Sequence, residues 1–450
     1  MPAFTPIPVM PGAWPVVGHV PQLLRRPLDF MTSLAGHGDV VRMRLGPRDV
    51  YVATHPDLVR TMLVTNAHDF SRSSLAAKSL QFIGPILVAT RDEPHLRQRR
   101  LMQPTFHRAR LDSYVSSMCA AAEEVAGSWA PKELVAVAPA MTNVAVITMT
   151  KSLFFSELGA EAEKALRKVG HSILEVARMA SIAPNVYRRL PTPGNRALPL
   201  ARAAIKKTIA AYRADGRDHG DMLSMLMKAR DAAGNTLTDQ EICDEILGLA
   251  VAGIGGPAAT ATWVFCELGR NPDIERRVHE ELDTVLAGGR PGPEAVAQLT
   301  YTHRVVKEVL RKYPGWVGMR RAVRTVRLGD HMLPAGAEVI YSAYALQNDP
   351  RWYPDPERFD PDRWDTERGG GKVSKGAWVP FSAGVYKCIG DAFAITETVT
   401  AVAVIASRWR LRPVPGRRVR EVTEATHVLP DKLRMIAEPR TAARRQGATV

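Results

Sequence analysis

The chain has 450 residues, 46% hydrophobic and 24% charged, a composition that excludes a disordered or fibrous protein and allows a large core. Its net charge of +14 would admit an anionic partner, but aromatics are not interleaved with the arginines, so nucleic acid is not an expected partner. The four cysteines, Cys119, Cys243, Cys266 and Cys388, form no C-x-x-C pair, which argues against a disulfide framework or a zinc site.

The first 22 residues are rich in proline, as in Pro6-Ile-Pro, Pro11-Gly and Trp14-Pro, and predict an extended lead-in. Neither a signal peptide nor a membrane anchor is expected there, and the expected compartment is cytoplasmic. Residues 39 to 53 predict two strands joined by a turn at Gly46-Pro47. From about 56 to 310 helical periodicity dominates. Within it, Thr238-Asp-Gln-Glu241 reads as a capping box, in which hydroxyl and carboxylate each satisfy free backbone N–H groups. Ile242, Ile246, Leu249 and Ala250 follow at helical spacing. After 320 the pattern turns to short strands, as in Val323-Arg-Thr-Val-Arg-Leu-Gly and Ala337-Glu-Val-Ile-Tyr, and a final helix is expected from about 390 to 408. The expected fold class is mostly α with minor β. The division is a lead-in over 1–22, one catalytic domain over 23–437, and a basic tail over 438–450 carrying Arg440, Arg444 and Arg445.

Just before the last helix, residues 380 to 390 read Pro-Phe381-Ser-Ala-Gly384-Val-Tyr386-Lys387-Cys388-Ile-Gly390. An anionic sulfur needs a loop whose backbone N–H groups turn toward it, which glycines permit, and a helix starting near Gly390 sets its positive end beside that sulfur. Taken alone, Cys388 is more simply one more small buried residue. Glu308-Val-Leu-Arg311 puts a carboxylate and a guanidinium on one helical face, worth only about 0.2–0.5 kcal/mol as an ordinary surface pair. In Glu93-Pro-His95-Leu-Arg-Gln-Arg99, His95 and Arg99 share a face of what is otherwise a basic turn.

In their order from residue 93 to 390, these stretches resemble the cytochrome P450 family, and the likeness extends loosely from Pro11-Gly-Ala-Trp to near Met435. The resemblance implies the P450 fold, with a long central helix over a haem and a cysteine-ligand loop beneath it. It implies Cys388 as the metal ligand of a b-type haem (heme b), with Phe381, Gly384, Lys387 and Gly390 around it. His95, Arg99 and Arg320 are the implied propionate partners, with Arg321 as the alternative to Arg320. Arg358, in Pro354-Asp-Pro-Glu-Arg358-Phe, would lock with Glu308 and Arg311. The implied activity is that of a monooxygenase acting on a lipophilic small molecule, with electrons from ferredoxin and ferredoxin reductase. Arg97, Arg100, Lys375 and Lys387 are candidates for steering such an acidic partner. The implied pocket draws on residues 74–89, 246–257, Trp316–Met319 and His427–Leu429, including Leu80, Phe82, Ile83, Ile86, Leu249, Trp316 and Val317. The overall texture is similar to that of bacterial members acting on terpenoids.

Two departures stand out. Tyr386 occupies a position where the family usually carries arginine or histidine as a propionate partner. Ala252-Gly253-Ile254-Gly255-Gly256-Pro257 stands where it usually shows A-G-x-(Asp or Glu)-Thr, so Gly255 and Gly256 supply neither acid nor alcohol and no catalytic side chain is assigned. The expectation is that ordered water or a substrate hydroxyl supplies protons through the space these glycines leave, with Pro257 opening the helix locally. Thr260 offers a substitute donor, although packing is its simpler role. A peroxide-driven haem oxidase and a non-catalytic haem-dependent sensor are competing readings. Gly253-x-Gly255-x-x-Ala258 with Asp273 also fits a dinucleotide fingerprint but lacks the strand that must precede it, and Gly369-Gly-Gly-Lys372 lacks P-loop spacing.

Overall fold

The computed structural model describes residues 5–74, 83–170 and 193–440, apart from Arg368, Gly371, Lys372 and Lys375. Strands β1 (Val40–Leu45) and β2 (Arg48–Ala53) pair antiparallel in the register Val40↔Ala53 to Leu45↔Arg48, with Gly46 in the turn. The remaining strands are β3 (Phe70–Arg72), β4 (Leu134–Ala136), β5 (Gly318–Ala322), β6 (Val326–Leu328), β7 (His331–Leu333), β8 (Glu338–Tyr341), β9 (Trp409–Pro413), β10 (Glu421–Glu424), β11 (His427–Pro430) and β12 (Arg434–Pro439). One sheet has the order β1-β2-β8-β5-β3 and a second the order β4-β12-β9, while β6–β7 and β10–β11 form hairpins. The lead-in lies along the edge of the first sheet, where the Arg42 N–H donates to the Pro8 carbonyl. At the other end β12 runs to Pro439, inside the segment read as tail, and Arg440 forms an ion pair with Asp283. Arg444 and Arg445 lie outside the described residues.

Six helices position the site: α1 (Asp92–Met102), α2 (Arg108–Gly127), α3 (Val137–Leu153), α4 (Asp239–Arg270), α5 (Thr300–Lys312) and α6 (Asp391–Arg408). The central helix α4 starts at the capping box read from the sequence: Thr238 N–H donates to the Glu241 carboxylate at 2.7 Å, and Glu241 N–H donates to the Thr238 hydroxyl at 3.2 Å. Its 32 residues rise about 48 Å. It packs against α3, α6 and β11, so apolar residues surround it on nearly every side. By length and hydropathy it could cross a membrane, but 78% of that apolar window is buried inside the protein, as in a core helix. The dinucleotide fingerprint fails here, because Gly253, Gly255 and Ala258 lie mid-helix with no strand before them and the Asp273 side chain is exposed.

The Glu308–Arg311 pair is no surface pair, since both side chains are fully buried. Arg311 Nε donates to Glu308 Oε1 at 3.0 Å, and its other nitrogens donate to the carbonyls of Gln347 and Pro356. The expected third member is corrected. Arg358 is 72% exposed and lies near Asp360, whereas Arg363 approaches Glu308 at 3.5 Å and Trp364 Nε1 donates to Glu308 Oε2 at 2.9 Å. Arg358 sits in the turn before the buried Phe359. The short helix Pro361–Trp364 then carries Arg363 and Trp364 back over α5.

Candidate functional site

Gly384 has φ +67, and a Cβ there would overlap the Leu63 carbonyl oxygen, so only glycine fits this turn. Lys387 N–H donates to the Gly384 carbonyl at 3.0 Å and Cys388 N–H to the Phe381 carbonyl at 2.9 Å, which closes the loop into a cradle. The Cys388 side chain opens onto a cavity of about 430 Å³. Burial among protein atoms pushes its thiol pKa up, while the backbone N–H of Gly390, at the start of α6, pulls the other way. The other three cysteines are buried, and desolvation raises their thiols to about 11 (Cys119), 11 (Cys243) and 12 (Cys266).

Beside this loop lies a group of cations that no carboxylate compensates among the described residues. Arg72 on β3 and Arg320 on β5 are directly opposite each other in the sheet register. Like charges at that position repel. Burial, then the charge of Arg320, lowers Arg72 to about 10, and burial lowers Arg320. Among the described residues neither forms an ion pair with a carboxylate: Arg72 Nε donates to the Thr90 carbonyl and Arg320 Nη2 to Ser382 Oγ. The ring of Tyr386 lies between them, 4.8 Å from the Arg72 guanidinium and 5.1 Å from that of Arg320. His95 lies 4.6 Å from the same ring, tilted against it by 46°, is held near the Leu87 and Val385 carbonyls, and is drawn down to about 4 by burial and by Arg72. Arg99 donates to the Lys387 carbonyl at 2.5 Å. Buried cations without counter-ions fit an anionic ligand, and the two propionates of a haem are of this kind. Arg321 instead donates to the Gly336 carbonyl and is not on the cavity wall.

Of the residues expected to line the pocket, Ile86, Leu249, Val317, Met319 and His427 do so. Ile83 packs into the core, and Trp316 donates its ring N–H to the Ala425 carbonyl away from the cavity. Leu80 and Phe82 lie outside the described residues, as do Lys372 and Lys375. Phe381, Lys387 and Gly390 border the cavity with Cys388. Lys387 is also paired with Asp391 at 2.5 Å. Gly256 and Thr260 are on the wall, but Gly255 is buried outside it, and the Thr260 hydroxyl donates to the Gly256 carbonyl at 2.9 Å. Arg97 is held by Asp231 at 2.9 Å and Glu241 at 3.1 Å, so its charge is met within the chain, whereas Arg100 is exposed.

Sequence reading missed Arg72 and Glu245. Arg72 has no local motif and reaches the site through sheet pairing. Glu245 lies on α4 two turns before Ala252, is 2% exposed, and accepts from the Leu87 N–H at 3.1 Å. Its second oxygen has no partner, and burial raises the carboxyl to about 8, so it is mostly protonated at neutral pH.

A long buried helix facing a cysteine-bearing loop across a cavity, with a buried cationic group at its edge, is the layout of a haem-thiolate protein. The cytochrome P450 family model matches residues 8–437, and the chain belongs to that family. It is 41% identical to a cyclooctat-9-en-7-ol 5-monooxygenase of Streptomyces melanosporofaciens, over 90% of each chain. It is 38% identical to a cyclooctatin synthase of the same organism, covering 96% of this chain and 95% of that one. It is 37% identical to a pentalenene oxygenase of Streptomyces avermitilis, covering 96% and 97%. The fold matches the crystal structure of the cytochrome P450DA haem domain with a TM-score of 0.85, covering 98% of both chains at 21% identity.

Proposed function

We propose that this P450 hydroxylates a lipophilic terpenoid, with Cys388 as the residue whose thiolate would hold the iron of a b-type haem. The reaction is R–H + O₂ + 2 H⁺ + 2 e⁻ → R–OH + H₂O. When bound, the haem supplies oxygen activation, and the thiolate's electron donation favours O–O cleavage. The chain's own residues supply the rest. Gly390 N–H and the start of α6 stabilise the sulfur as an anion. Arg72, Arg99 and Arg320 would hold the propionates, with His95 beside them engaged by the Leu87 and Val385 carbonyls. Ile86, Leu249, Val317 and Met319 exclude water and favour an apolar substrate.

The carrying observation is Cys388 opening onto a largely apolar cavity beside a buried cationic group, Arg72 and Arg320, that lacks a carboxylate partner among the described residues. The names of the similar Streptomyces proteins support a terpenoid substrate. Ferredoxin and ferredoxin reductase are the proposed electron source, and exposed Arg100 supports docking of an acidic ferredoxin, whereas Lys387, though exposed, is paired with Asp391. If raising ionic strength leaves the rate of reduction by ferredoxin unchanged, that docking idea fails.

The test of the whole reading is the spectrum of the reduced, CO-bound protein. A strongly red-shifted Soret band is expected in the native chain and is lost in Cys388→Ser. Incubation with cyclic terpenes and terpene alcohols then reads out oxygen consumed against hydroxylated product. Gly255 and Gly256 favour the peroxide-driven reading as the rival. Turnover with hydrogen peroxide but none with O₂ and a reductase chain would select it.

A further inference from the structure

Each turnover consumes two protons inside a cavity whose α4 wall includes Glu245, Leu249, Ala252, Gly253, Gly256 and Thr260, with Glu245 about three turns before Gly256. Gly255 and Gly256 have no side chains to carry them, and the Thr260 hydroxyl is engaged by the Gly256 carbonyl. One group does face this stretch. A Cβ built on Gly256 meets a single neighbour within 4 Å, the Nε2 of His427, at 3.6 Å. His427 begins β11, directly after the hairpin turn, and lines the same cavity. The next residue fixes its place: Trp263 Nε1, two turns along α4, donates to the Val428 carbonyl at 2.9 Å. No hydrogen bond joins the His427 ring to any other described residue.

A second polar group lies on the preceding turn of the same helix. Pro257 has no N–H to give the carbonyl four residues back, which is that of Gly253 on the cavity wall. A carbonyl without its helical donor on the turn before Gly256, an imidazole beside Gly256 and the space left by the missing side chain, all on one cavity wall, are the components of a site for one water molecule.

We propose that His427 and the Gly253 carbonyl hold a water molecule against Gly256, and that this water is the last hydrogen-bonded carrier before the reacting centre. Desolvation draws the imidazole down to about 4, so at neutral pH it is uncharged, with one nitrogen donating and the other accepting. That is the state a relay requires. Both protons come from solvent and both electrons from the reductase chain, and the imidazole and the water end each cycle unchanged. His427 is a positioning residue, since it acts through the water. The proposal rests on the haem-thiolate reading above.

The experiment compares native holoenzyme with His427→Leu, His427→Gln and the double variant His427→Leu with Gly256→Thr. In His427→Leu, product formed per reductant consumed falls about tenfold or more, the low end of what a positioned acid–base group contributes, and hydrogen peroxide rises to match. The C–O stretch of the reduced CO complex moves to higher frequency as the N–H donor is lost. Substrate affinity stays within about twofold, because the transition-state interaction is the one removed. His427→Gln keeps a donor and retains most of the coupling, and Gly256→Thr restores a hydroxyl and part of it. A red-shifted Soret band in each variant certifies that it is folded around its haem. Unchanged coupling and C–O stretch in His427→Leu overturn the proposal. So does a large loss of substrate affinity with coupling intact, which would make the imidazole a substrate contact. Failure of the parent reading looks different: the native chain itself lacks the red-shifted band, and both fall together.

Discussion

The Cys388 side of the cavity is crowded with fixed charge, with Arg72, Arg99 and Arg320 converging where the described residues offer them no carboxylate, while the α4 side presents small and apolar residues with Glu245 and His427 at its ends. The first side is electrostatically frustrated as the chain alone, and under the proposed function an anionic cofactor would relieve it. The second is shaped by what side chains omit. Cofactor retention and substrate choice therefore rest on different physics, charge pairing on one face and space on the other, so each can change without the other.

The largest expected effect lies beneath both faces. Glu308→Ala leaves Arg311 buried without its counter-ion, and a loss of about 3–5 kcal/mol in unfolding free energy is expected by chemical denaturation. Next, Arg72→Ala or Arg320→Ala removes a charge-assisted contact of about 1.5–3 kcal/mol, so haem transfer to apomyoglobin should show about ten- to hundredfold weaker retention. The comparison is sharpest here, because in haem-free protein the same change relieves repulsion and should raise the melting temperature. A drop in both forms would break the frustration argument.

On the α4 side, Glu245 binds its proton more tightly folded, near 8, than its ordinary value of 4.5. Between those values the native state holds more protons than the unfolded one, so this group's contribution to stability declines as pH rises from about 5 to 8. Glu245→Gln should flatten that part of the stability profile, and an unchanged slope would remove Glu245 as its source. Smallest of all, Arg358→Ala should shift stability by no more than about 0.5 kcal/mol, since its side chain is 72% exposed.

Much of this was legible in sequence because it is local. The capping box at Thr238 and Glu241 fixed where α4 begins, and the loop from Phe381 to Gly390 carries its own turn chemistry. The errors arise where tertiary structure decides. Pro-Glu-Arg358-Phe and Pro-Asp-Arg363-Trp are near-repeats five residues apart, and only the ring N–H of Trp364 on Glu308 shows which arginine turns inward. Arg72 reaches Arg320 through strand pairing across 248 residues, and no pattern near residue 72 announces it. His427 likewise meets Gly256 only because a hairpin docks on a helix 171 residues earlier, and a missing side chain gives no hint of what fills its place. Ile83 and Trp316 have the apolar character of pocket residues, but character does not tell which side of a wall a side chain occupies.

The distribution of thiols has a practical consequence. Burial raises the pKa of all four thiols, but Cys119, Cys243 and Cys266 are sealed in the core, and Cys388 alone of the four opens to a cavity and can be reached. Alkylating reagents attack thiolates they can reach. The chain thus carries a native single-site chemical tag, whose masking by bound cofactor would turn a mass-spectrometric label count into a direct measure of how much of a preparation is loaded.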